Sequence, residues 1–242
     1  MFIDCRDRSG KDRQWQIVTS LYANLSEAVA AHGLALRGGF HPAPDDASPD
    51  AGEGRATRTL VLVGNVGPDL WPHFAPHADG GRDALDRWTR ATIEPIADRF
   101  AARCVFPFDT PPLPFQRWAM RAEPVRPSPL GILMHPDHGL WHAYRAALLF
   151  AEAVDLPSPD ARPIPCDTCA DKPCLTACPV GAFSGQGYDV PACAGHLASP
   201  EGIGCMTGGC RARDACPVAA DRNYAPDQIR FHMAAFKRAV CG

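Results

Sequence analysis

The chain has 242 residues, 46% of them hydrophobic, which is enough for a real core in one or two domains. Its formal net charge of −3 excludes a global basic field for nucleic acid. No apolar run approaches the ~18 residues of a membrane span, and residues 1–16 are too polar for a secretory signal, so a cytoplasmic protein without a membrane partner is expected.

Residues 1–16 read as a flexible N-terminal extension. Over 17–32, Leu21, Leu25, Ala28 and Val29 recur on one helical face, and Gly33 is placed to end that helix. Residues 34–40 read as a strand, and 41–58, rich in Pro, Asp, Gly and Ala, as a mobile surface loop. The run TLVLVG over 59–64 is a buried strand. The Gly64-Asn65-Val66-Gly67 that follows reads as a plain turn; a phosphate cradle is the weaker reading, because the spacing is incomplete and Pro68 removes an amide.

A second helix is expected over 83–102, with Pro95 placed to kink or split it, and a short strand over 104–108. Residues 110–129 set six prolines around Phe115, Trp118 and Met120. Packing over the core is the ordinary meaning of such a stretch, and a lid over a pocket is the alternative. Residues 130–135 and 144–150 predict a strand–turn–strand around Pro136-Asp137-His138-Gly139. A linker over 151–165 leads into a cysteine-rich module, and 219–240 is partly helical, with Ile229, Met233 and Phe236 on one face.

Eight of the eleven cysteines fall between Cys166 and Cys216. The first four, Cys166, Cys169, Cys174 and Cys178, follow C-x2-C-x4-C-x3-C-P, a bacterial ferredoxin run with two residues inserted. Cys193, Cys205, Cys210 and Cys216 follow, and Cys216 also precedes a proline. A short loop with C-x2-C and a third Cys can wrap three corners of a cubane, while the fourth Cys leads away to a neighbour. Two 4Fe-4S clusters are therefore expected; one remains an option because the second run is irregular. Structural zinc favours two separated C-x2-C pairs, and a disulfide framework belongs to small exported domains, so both rank below iron-sulfur.

Outside the module, Asp109 at a strand end reads either as a turn cap or as a general acid. His135, His138 and His142, beside Trp141, read as structural or surface residues, as the lining of a cofactor pocket, or as metal ligands. Cys104 reads as core, and Cys5 and Cys241 as incidental.

Several segments, in order, resemble the epoxyqueuosine reductases, a group related to corrinoid reductive dehalogenases and cobalamin-processing proteins. They are Leu60-Val61-Leu62-Val63-Gly64, Asp109-Thr110-Pro111-Pro112-Leu113, Leu133-Met134-His135-Pro136 with Gly139 and Trp141, Cys166 to Pro179 with Gly181-Ala182-Phe183, and Tyr188-Asp189-Val190 before Cys193. The resemblance spans roughly 20–225 and is most specific in the cysteines. It implies an α/β (α+β) nitroreductase-like domain over 17–157 and a ferredoxin-like α+β domain over 158–242 with a C-terminal helix.

By order, the resemblance gives one cluster to Cys166, Cys169, Cys174 and Cys216 and the other to Cys178, Cys193, Cys205 and Cys210. It also implies cobalamin in a pocket bordered by Trp118, His135, His138, Trp141 and His142, with Asp109 as proton donor. The expected function is an iron-sulfur oxidoreductase served by an electron donor of ferredoxin or flavodoxin type. A ferredoxin-like carrier and a corrinoid-binding or trafficking protein are the alternatives. A tRNA substrate is not expected: only 26 residues follow Cys216, and over 160–242 eight basic residues balance eight acidic ones. The small-molecule substrate is left open.

Overall fold

The computed structural model describes residues 20–158, 160–185 and 187–241. The expected extension over 1–16, Cys5 included, lies outside them. The first helix, α1 (Leu21–Ala30), starts at Ser20, whose side chain accepts from the Ala23 amide at 3.2 Å. Leu25 and Val29 are its buried face. Gly33 ends the turn at φ +68, where a Cβ would lie 2.2 Å from the Asp69 carbonyl oxygen, so only glycine fits.

Next come β1 (Ala35–Phe40), β2 (Thr59–Val66), a short α2 (Trp71–Phe74), α3 (Ala84–Arg99), β3 (Arg103–Val105) and α4 (Phe115–Ala122). They are followed by β4 (Arg126–Pro127), β5 (Leu133–Met134) and β6 (His142–Phe150). Among the described residues the main sheet has the order β1-β2-β6-β3 and is antiparallel throughout. The fold is therefore α+β, and the α/β half of the expected description falls away.

The sheet lies between two apolar layers, which is why its central strands read as unbroken hydrophobic runs. Val61, Val63, Ala146 and Leu148 face Leu25, Val29, Phe74 and Ile93. Leu60, Leu62, Ala147 and Leu149 face Phe115, Trp118 and Val125.

Four expectations change. Residues 64–66 belong to β2 and not to a turn, because Asn65 and Val66 continue the pairing with β6. The 41–58 segment is tied to α4: Trp118 Nε1 donates to the Asp46 carbonyl at 2.8 Å, and Arg121 pairs with the buried Asp46 carboxylate. α3 runs unbroken through Pro95, whose ring points to solvent while Ile93, Ile96 and Ala97 hold the core face. The predicted strand–turn–strand does not pair with itself. β6 starts two residues earlier and is buried on both faces from Ala146, so it takes the sheet centre, and β5 pairs with β4 instead.

The cysteine-rich part holds short elements: α5 (Pro165–Thr168), β7 (Phe183–Ser184), β8 (Gly187–Tyr188), α6 (Val190–Ala198), α7 (Ile203–Gly208) and α8 (Arg211–Asp214). A third core joins it to the 130–140 segment through Leu130, Met134, Leu140, Ile164 and Phe183. The long α9 (Pro226–Cys241) packs on α6 and α7 and also sends Phe231 against Phe74 and Trp71, at 5.1 and 5.7 Å between rings.

Candidate metal centre and adjoining cleft

The structure brings the cysteines together in two groups. Burial pushes the Cys166 thiol up to about 11, with Cys216, Cys174 and Cys169 adding to the rise as its nearest thiol neighbours. Those four, with Met134, Leu140 and several prolines, line a mostly apolar cavity of about 280 Å³. In the second group burial raises both Cys205 and Cys210, and each is raised further by Cys178 and Cys193. Burial, then Cys193, pushes the Tyr188 hydroxyl up, so its ring lies beside the same group. An amide points at a sulfur as well: Ala182 N–H donates to Cys178 Sγ at 3.4 Å.

Among the described residues no three Cys, His, Asp or Glu side chains converge tightly enough for a single metal ion. A cubane makes a different demand. Each thiolate binds its own corner iron, so four ligands stand around a volume and do not meet at one point.

The histidine turn lies between the sheet and this module. His135 and His138 stack at 4.3 Å, and His142 meets His135 edge-on at 6.0 Å. His135 Nδ1 accepts from the Asp137 and His138 amides at 3.0 and 3.3 Å, and His142 Nε2 donates to the Leu133 carbonyl at 2.9 Å. Burial pulls His138 down to about 4 and His142 to about 2, so both rings are neutral at pH 7. Trp141 sits apart from the three, between Tyr224 at 5.3 Å and the Arg213 guanidinium at 4.2 Å. Arg213 also donates to the Leu140 carbonyl at 2.5 Å and so ties α8 to the start of β6.

The other two expected site residues lie elsewhere. Trp118 is fully enclosed in the core. Asp109 accepts from Arg90 at 2.6 Å and from the Phe106 amide at 2.8 Å, so both of its oxygens are engaged at a turn.

No protein-family model matches the chain, and neither does any curated protein. Among solved structures, it matches epoxyqueuosine reductase from Streptococcus thermophilus at 12% identity and a TM-score of 0.51, over 85% of this chain and 69% of that one. It matches the C. elegans B12-trafficking protein CblC at 13% identity and a TM-score of 0.50, over 90% of this chain and 94% of that one. The chain shares the fold of these proteins. The family resemblance read from short motifs thus extends to the three-dimensional arrangement.

On this fold the structure adds residues that sequence reasoning missed. Arg37, buried on β1, makes two bonds of 2.8 Å to Glu123, which also accepts from the Tyr144 hydroxyl at 2.7 Å. Asp86, Phe108, Tyr144 and Arg145 line a hollow of about 180 Å³ next to the Asp109 turn. Burial pushes the Asp86 carboxyl up, Arg145 opposes the rise, and Asp83 adds to it. No sequence motif marks these groups, because they come from separate strands and helices; only the polar residues inside apolar strands, Arg37 and Arg145, hinted at them.

Proposed function

We propose that this chain is a two-cluster iron-sulfur protein of the epoxyqueuosine reductase type, relaying single electrons from a domain over 158–242 to an acceptor on a domain over 17–157. Cys166, Cys169, Cys174 and Cys216 would hold one 4Fe-4S cluster, and Cys178, Cys193, Cys205 and Cys210 the other. The observation that carries the reading is that eight thiols fall into two sets of neighbours, one of them around a cavity. Bound clusters would supply one-electron chemistry. The protein's own part is to hold the thiols in place for bound iron to deprotonate, aim an amide at a sulfur, and screen the first group from water with Met134, Leu140 and prolines.

On the acceptor side, Asp86 is the better proton source. Its carboxyl is half-buried in the hollow, whereas Arg90 and a backbone amide occupy Asp109. A ferredoxin- or flavodoxin-type donor would feed the clusters, and the acceptor would be a small molecule, since the basic and acidic residues of 160–242 balance.

A corrinoid does not fit among the residues first expected to border it. Trp118 is sealed in the core, and two of the histidine rings lie in contact with each other. Corrinoid binding or trafficking stands as the second reading, favoured by the fold shared with a B12-trafficking protein over 94% of that chain.

The deciding experiment is iron, sulfide and zinc analysis of protein purified without oxygen, with an EPR spectrum after dithionite and a hydroxocobalamin titration. About eight irons and eight sulfides per chain are expected from eight thiolate ligands. Zinc in place of iron overturns the proposal. Clusters with no acceptor activity favour a carrier, and stoichiometric cobalamin without turnover favours the second reading.

A further inference from the structure

A cavity of about 580 Å³ lies between the first turn of α3 and the middle of α9, and no cysteine lines it. Its polar walls are Arg82, Asp83 and Asp86 on one side, His232 and Arg238 on the other, and Arg145 from β6. Three features give it the character of an anion site.

Arg145 is placed there by a β-bulge. In the β2–β6 pairing Val63 faces Ala146 and Gly64 faces Tyr144, so Arg145 is the extra residue and has no partner across the ladder. A bulge re-aims the side chain it carries. Among the described residues the only side-chain hydrogen bond of Arg145 is through Nε, to Asn65 Oδ1 at 3.2 Å, which leaves its two terminal nitrogens free toward the cavity.

The start of α3 adds donors. Asp83 precedes this sixteen-residue helix without making a side-chain cap, so the first amides lack that partner and face the same space. His232 on the opposite wall adds no donor, since its Nε2 is itself buried out of reach of the cavity. Arg82 and Arg238 stand exposed at the rim, and neither forms an ion pair among the described residues. Three guanidinium groups thus outnumber two carboxylates, and Asp86 offsets part of the Arg145 charge.

We propose that this cavity binds a small phosphate ester. One arginine fork satisfies a planar carboxylate. Here donors approach from three separate elements, α3, β6 and α9, which suits a tetrahedral dianion. The cavity is far larger than a bare phosphate and falls within the roughly 300–1,000 Å³ of metabolite pockets. Phe231 on the wall offers an apolar face for the organic part. The inference adds a ligand class to the acceptor side of the proposed function, yet its test needs neither iron nor turnover, so the two fail separately.

The test is calorimetry on the full chain, purified without oxygen, with phenyl phosphate, inorganic phosphate and benzoate as probes. A single saturable site is expected, with phenyl phosphate at least about tenfold tighter than benzoate. Arg145→Gln should weaken phenyl phosphate at least about tenfold. Because Arg145 reaches into the structure from the central strand, the exposed pair Arg82→Gln with Arg238→Gln serves as a second variant and should weaken it about threefold or more. Absence of saturable phenyl phosphate binding to folded protein overturns the proposal. Benzoate binding equally well, or an affinity unchanged in the exposed pair, does the same.

Discussion

Arg37 and Glu123 form the most consequential single contact outside the cysteines. Their side chains are 1% and 11% exposed, and their two bonds of 2.8 Å are joined by the Tyr144 hydroxyl. Breaking one side of a buried pair leaves an uncompensated charge, at a cost of about 3–5 kcal/mol. Glu123→Gln should lower the urea midpoint accordingly, and a loss under about 1 kcal/mol would show that water reaches the pair.

The neutral histidines set an acid limit. His138, His142 and His232 are held down to about 4, about 2 and about 3, in each case first by burial and then by neighbouring positive or imidazole groups. In the unfolded chain a histidine takes its proton near 6.5. Protonation then favours unfolding, so the stability these rings contribute is complete above about 6.5 and is lost as the pH falls from there toward 4 and below. Denaturation curves from pH 7.5 to 5 should slope downward with acid, and His232→Phe should flatten the slope. An unchanged slope would place the titration elsewhere.

Among the elements, α3 offers the plainest test. Pro95 sits inside it on the solvent side and removes one backbone donor while the helix continues. Alanine is about 3 kcal/mol better than proline in a helix interior. Pro95→Ala should therefore stabilise the protein, by about 1–3 kcal/mol given that the native helix already accommodates the ring. A destabilised variant would mean that the proline shapes the packing of Ile93 and Ile96.

Gly64 tests β2 in the other direction. A Cβ there would lie 2.1 Å from the Ala143 carbonyl oxygen, so Gly64→Ala should shift the bulge beside it and lower the thermal midpoint. No change in midpoint would show that the two strands are free to part.

These two elements also show what the sequence could and could not reveal. α1, β1, β2 and α3 follow from periodicity and Gly33, because burial of one or both faces leaves a local pattern. The pairing of β6 was not legible. Strand partners are chosen by which edges are free, and nothing near 130–150 encodes that β3 and β2 flank it. The cysteine spacing is a pattern of the opposite kind, local in the chain, and the structure brings its members near one another. The cleft was not legible, because Asp86, Arg145 and His232 meet only after the sheet and α9 have formed.

At the scale of the whole molecule, Arg213 and α9 hold the two parts together. The Arg213 guanidinium lies between Trp141 and Tyr224 at 4.2 and 4.7 Å and bonds to the Leu140 carbonyl. Arg213→Met keeps much of the apolar stem but removes the charge over both rings. It should speed proteolysis between 150 and 165 and, if the proposed clusters form, lower iron content after purification. Iron retained at the wild-type level would show that the cysteine groups are held without this contact.

Helix α9 carries a consequence for how the protein is made. Phe231 closes over Trp71 and Phe74, and Ile229 lies against Gly209 beside the second cysteine group. A ribosome delivers α9 after all of these surfaces have left the exit tunnel. Until it arrives, a nascent chain shows an aromatic patch on one side and loosely covered thiols on the other. If the proposed clusters form, a chain truncated before Pro226 should lose iron faster than the 242-residue chain, and equal loss would show that α9 does not cover the thiols.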